Sequence, residues 1–260
     1  MAIPMMMRPL TTFFSSLALL STLLTGSVAA ADITVSAAMS LMGAFEEIGR
    51  AYETRHPGSK VRFNFGASGD LARQIAGGAP IDAFASAAQK EMNDLAVKGL
   101  IAPATRVNFT RNSLVLVTPK QGPRLAAFGD LASASVKRIA ITNPKTSPAG
   151  RYAMETLSYY LVAEATKSKL IFAENVRQVM DYVARGEVDA GIVFASDAAA
   201  RPHDSMIATV AAAESHEAIM YPVAVTKSSP SPAAASAFIA TLLSVEGQSI
   251  LRRHGFASMK

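Results

Sequence analysis

The chain has 260 residues, half of them hydrophobic, with no Cys and no Trp and a formal net charge of +5. That length buries one core or two smaller ones, and without Cys no disulfide can form, so the fold rests on its core. The Lys and Arg residues are scattered, never five in a row, which argues against a nucleic-acid-binding tail.

The first 30 residues differ from the rest. Arg8 is the only charge before Asp32, an apolar stretch runs over 13–24, and Gly26-Ser27-Val28-Ala29-Ala30-Ala31 follows. A positive start, a short apolar centre and a run of small residues predict a cleaved export signal over 1–30. The apolar centre is too short and too rich in hydroxyls for a membrane span. With no Cys to carry a lipid, the mature protein is expected free in the periplasm.

From Ile33 onward, short apolar runs alternate with helical spacing. Strands are predicted over 33–38, 61–65, 83–85, 113–117, 138–141, 190–194 and 221–225. Helices are predicted over 41–55, 70–76, 89–98, 149–165, 175–185 and 233–253, several closed by Gly. This alternation predicts an α/β protein with mostly parallel sheets. The length suggests two lobes, and the lack of a long linker implies short crossings between them. Those crossings are expected at 111–113 and 221–223, so that 31–111 with 222–260 form one lobe and 112–221 the other.

Four predicted helices begin straight after a strand with small or hydroxyl residues: at Ser40, at Ser68, at Ser147-Pro148-Ala149 and at Asn175-Val176. Helix starts have free N–H groups and partial positive charge, so several converging starts make an anion site without Lys or Arg. Such a shell of neutral donors suits a fully ionised tetrahedral anion. Ordinary capping is the better explanation of any single one of these junctions, and only the set of four, taken together with a family resemblance, favours an anion site. Gly66-Ala67-Ser68-Gly69-Asp70 departs from a nucleophile elbow at Asp70. The four His residues show no metal-ligand spacing. A secreted hydrolase using Ser68 is therefore only a rival reading.

These residues resemble the periplasmic molybdate-binding proteins of ABC importers. The resemblance runs over about 33–256 and is carried by Val35-Ser36-Ala37-Ala38-Met39-Ser40-Leu41, Leu71-Ala72-Arg73-Gln74, Gly78-Ala79-Pro80-Ile81-Asp82, Asn112-Ser113-Leu114, Pro148-Ala149-Gly150-Arg151-Tyr152, Asn175-Val176-Arg177 and Gly191-Ile192-Val193-Phe194. It implies a two-lobed type II periplasmic binding protein fold, each lobe a mixed, mostly parallel sheet flanked by helices. It implies a monomer that is not an enzyme, has no cofactor, closes by a hinge and docks on a membrane permease. The implied ligand is molybdate or tungstate, held by Ser40 and Ser68 from one lobe and the backbone of Ala149 and Val176 from the other. Sulfate is the rival anion. One position departs: the family often has Tyr where this chain has Phe194, so one hydroxyl donor is lost, and Tyr152 or Ser147 are the candidates to replace it.

Overall fold

The fold is described from a computed structural model covering residues 1–2 and 31–259. The rest of the expected export signal lies outside the described residues. The chain runs β1 (Ile33–Ala38), α1 (Met42–Arg55), β2 (Val61–Gly66), α2 (Ser68–Ala76), β3 (Ala83–Ala85), α3 (Gln89–Val97), β4 (Val107–Arg111) and β5 (Leu114–Pro119). It continues through β6 (Ile139–Thr142), α4 (Pro148–Tyr159), α5 (Ala163–Thr166), β7 (Leu170–Ala173), α6 (Val176–Ala184), β8 (Ala190–Phe194) and α7 (Ala195–Ala199). It ends with β9 (Ser205–Val210), β10 (Met220–Val225), α8 (Pro232–Leu243) and α9 (Val245–Arg253).

The strands form two five-stranded sheets, ordered β2-β1-β3-β10-β4 and β7-β6-β8-β5-β9. The two orders match in pattern. In each, three strands run parallel, and a fourth, β10 or β5, runs antiparallel to both of its neighbours. The inner parallel strands β3, β6 and β8 are buried throughout, as strands covered by helices on both faces must be. In the first sheet, Phe45 of α1 packs against Phe63, Phe109 and Phe238 with ring centroids 5.8–6.1 Å apart. In the second, Val179 and Val183 of α6 crowd Gly191, where a Cβ would lie 2.8 Å from Val183. The T-shaped pair of Phe194 and Tyr221, 5.9 Å apart, joins β8 of one sheet to β10 of the other.

The chain passes between the sheets twice, at Asn112-Ser113 and over 211–219. The second passage precedes the expected 221–223. Met220 and Tyr221 already pair with Arg111 and Thr110 of β4, so they belong with the first sheet and the boundary moves back from 222.

Two predicted long helices are broken. The helix expected over 149–165 splits at Leu161, whose φ is +57°, while Tyr160 stacks on Phe128 at 5.1 Å. The one expected over 233–253 bends by 63° at Ser244. There the Ser244 Oγ accepts the Gly247 N–H at 3.1 Å and starts α9, and a Cβ at Gly247 would lie 2.3 Å from the Thr241 carbonyl. The first break lies in a stretch of mostly weak helix formers, 158–162, and the second is set by a new N-cap at Ser244. Strands β4, β7 and β9 and the short α7 escape prediction. β7 and β9 are sheet edges with exposed Phe172, Met206, Ile207 and Val210, which blur the alternation.

Candidate anion-binding site

The turns that follow the parallel strands of both sheets converge on one cavity. From the first sheet come Ala38-Met39-Ser40 after β1, Gly66-Ala67-Ser68 after β2 and Ala87 after β3. From the second come Ser147-Pro148 after β6, Asn175-Val176 after β7 and Phe194 at the end of β8. The carboxyl ends of parallel strands are where open α/β sheets place their ligands. Among the described residues, no charged side chain lines this cavity.

Four of the five sequence-predicted site residues line it: Ser40, Ser68, Val176 and Phe194. Ala149 does not. It is buried in the first turn of α4, directly behind Ser147 and Pro148, which do line the cavity. Val176 is the first residue of α6, where the Asn175 side chain accepts the Gln178 N–H at 3.2 Å. That cap satisfies one of the early N–H groups and leaves the first ones for another acceptor.

The hydroxyls are held from behind. Ser68 Oγ accepts the Ala87 N–H at 3.0 Å. Ser40 Oγ is hydrogen-bonded to Tyr221 Oη at 3.0 Å, and Tyr221 Oη accepts from Asn112 Nδ2 at 3.2 Å. Asn112 Nδ2 also reaches Ser196 Oγ at 2.8 Å. With Asn112 donating to it, Tyr221 can give its own proton to Ser40, whose proton then faces the cavity. Tyr221 is fully buried, and burial, with Asp197 nearby, pushes its phenol far above the usual range. It therefore stays a neutral donor. Sequence reasoning missed Tyr221, Asn112 and Ala87. Tyr221 lies 181 positions from Ser40 and Ala87 lies 19 from Ser68, and no local pattern links them.

Phe194 is buried, with its ring 6.3 Å from Tyr152 and 5.9 Å from Tyr221, both T-shaped. Its N–H is bound by Asp197 Oδ2 at 3.1 Å. Burial pushes the Asp197 carboxyl up to about 7, opposed in part by that hydrogen bond. Tyr152, one candidate replacement donor, does not line the cavity, while Ser147, the other, does.

Outside the cavity, direct contacts join the two sides. The Gly69 N–H donates to the Thr146 carbonyl at 2.9 Å. Arg151 of α4 forms a two-pronged ion pair with the buried Glu91 of α3, at 2.8 and 3.0 Å. Paired forks of this kind fix geometry more surely than they add stability.

A hydrolase would need a base at Ser68. Among the described residues no His bonds to it: His56 stacks on Tyr52 at 4.2 Å, His254 meets Glu47 and His216 meets the Glu217 carbonyl. Nor does any group of three or more His, Asp or Glu suited to a metal ion occur among them.

Two mixed sheets, joined by two short passages and enclosing a neutral cavity of helix starts, define the class of two-lobed solute-binding proteins. The family model described as bacterial extracellular solute-binding protein matches residues 33–257, and the chain belongs to that family. The family is one of binding proteins outside the cytoplasm, not of enzymes. Its relatives include the molybdate-binding protein ModA of Escherichia coli K12, 37% identical over 86% of this chain and 88% of that one. The molybdate-binding protein ModA of Haemophilus influenzae is 32% identical over 88% of this chain and 91% of that one. The solved periplasmic molybdate-binding protein of Azotobacter vinelandii superposes with a TM-score of 0.78, covering 88% of this chain and all of the other. At 24% identity that likeness speaks for the fold.

Proposed function

We propose that this protein is the periplasmic solute-binding component of an ABC importer and that its ligand is molybdate, with tungstate bound by the same donors. The observation that carries this reading is the neutral cavity itself. Helix starts from both sheets and the hydroxyls of Ser40 and Ser68 face it, and among the described residues no ionised side chain does. N–H groups at helix starts stabilise an anion without a counter-charge. Ala149 serves from the first turn of α4 and Val176 from that of α6, each through its backbone N–H.

The lobes are residues 31–111 with the chain from β10 onward, and the segment between. Closing them over the anion produces the form that docks on the membrane permease. The protein works as a monomer after removal of the signal over 1–30. The names of the molybdate-binding relatives support the choice of anion, and the meeting of Ser40, Ser68 and Val176 in one cavity supports carrying it over.

Calorimetric titration with molybdate, tungstate, sulfate and phosphate tests the proposal. One-to-one binding of molybdate and tungstate, with no heat from sulfate or phosphate, is the expected outcome. Heat from sulfate alone would assign the site to the smaller oxyanion.

A further inference from the structure

Ser147 occupies the N-cap position of α4 but does not cap it. A serine there ordinarily turns its oxygen onto an N–H two or three residues ahead, and Ser147 makes no such bond. Its Oγ instead accepts a hydrogen bond from Thr142 Oγ1 at 2.8 Å. Both residues are buried, Thr142 at 0% and Ser147 at 4% exposure. A hydroxyl has one proton to donate, and among the described residues nothing accepts that of Ser147. The residue lines the cavity next to Pro148 and across from Phe194.

This arrangement repeats on the second sheet what Ser40 and Ser68 show on the first. Each is a cavity hydroxyl held by a hydrogen bond from the protein, with its own proton left over. Accepting a bond from Thr142 also polarises the Ser147 hydroxyl and makes it a better donor.

We infer that Ser147 Oγ is a further donor to the bound oxyanion, oriented by Thr142, and that it replaces the hydroxyl missing at Phe194. The inference rests on the anion site proposed above. Thr142 is then a positioning residue, because its own hydroxyl does not line the cavity.

The test is molybdate titration of the unsubstituted protein, Ser147→Ala, Ser147→Gly and Thr142→Val, with thermal melts of each ligand-free protein. Both Ser147 variants should bind roughly tenfold to a hundredfold more weakly, the range for a hydrogen bond to a charged group. Their melting temperatures should fall alike, because either change leaves the buried Thr142 hydroxyl without its acceptor. Glycine remains a good N-cap residue, so a loss in Ser147→Ala that Ser147→Gly does not share would reveal a capping role and overturn the inference. Unchanged affinity in both would overturn it too, while leaving the anion site in place. Thr142→Val should show a smaller loss in the same direction. If the unsubstituted protein binds no molybdate, the functional reading fails and the role of Ser147 falls with it.

Discussion

The two sides of the cavity present different kinds of donor. The first sheet supplies the hydroxyls of Ser40 and Ser68, tied back to Tyr221 and Ala87. The second supplies mainly the opening turns of α4 and α6, and so mainly backbone. A side-chain donor can be deleted by substitution, and its deletion also strands the group behind it. A backbone donor survives any substitution that leaves the helix start in place and fails only when that start moves. The two sides should therefore break in different ways.

The sharpest contrast is between two glycines at helix starts. A Cβ at Gly150 would lie 2.2 Å from the Thr142 carbonyl, within the second sheet's own unit. Gly150→Ala should displace the α4 start whether or not ligand is bound. It should cost about 1–3 kcal/mol of stability, as overpacking does, and abolish measurable molybdate binding. A Cβ at Gly69 would lie 2.5 Å from the Thr146 carbonyl, on the other side of the cleft. Gly69→Ala should wedge the closed form alone, weakening binding by roughly a hundredfold while the ligand-free melting temperature holds. Calorimetry and thermal melts on both variants separate the cases. A stability loss in Gly69→Ala equal to that in Gly150→Ala would end the distinction.

Deleting hydroxyls on the first side comes next. Ser68→Ala strands the buried Ala87 N–H and should cost about 1–3 kcal/mol in a denaturant melt, with a tenfold or greater loss of affinity. Ser40→Ala leaves Tyr221 still bonded to Asn112. It should lose about tenfold in affinity and about 1 kcal/mol in stability, because the buried Tyr221 proton loses its acceptor. If Ser40→Ala proved the more damaging to stability, the support behind Ser40 would matter more than that behind Ser68.

A separate, pH-dependent effect belongs to Asp197, behind Phe194. Its carboxyl ionises at about 7 in the folded protein, against about 3.9 in an unfolded chain. The folded state therefore holds the proton more tightly, and stability falls as pH rises between these values. The contribution is fully present below about pH 4 and lost by the time pH has passed about 7. Asp197→Asn can still accept the Phe194 N–H but does not titrate. Melting temperatures from pH 4 to 8 should decline less steeply in that variant than in the parent, and parallel curves would refute the assignment.

Much of the fold and site was legible in the sequence. The limits of β1 and β8, the small-residue junctions at Ser40, Ser68 and Val176, and the family resemblance all follow from local patterns. A strand run or a helix start is written in neighbouring residues. Most of what was missed depended on distant ones. The edge strands β7 and β9 carry exposed apolar residues that obscure their period. At Leu161 the helix ends beside a stack of Tyr160 on the distant Phe128, whereas the break at Ser244 is a local cap that the sequence pattern could have shown.

The sequence by itself determined the α/β class and the neutral and hydroxyl-rich character of the helix starts, while the hydroxyl missing at Phe194 is only what the family resemblance implies. Only the tertiary structure decided which hydroxyls keep a proton for a guest, because that depends on what stands behind each one. Tyr221 lies behind Ser40, Ala87 behind Ser68 and Thr142 behind Ser147. It also decided that Ser147 and not Tyr152 faces the cavity, and that Gly69 lies against Thr146 across the cleft. Tyr221 reaches Ser40 and Ala87 reaches Ser68 only when the first sheet has formed, and Gly69 meets Thr146 only when the two sheets come together.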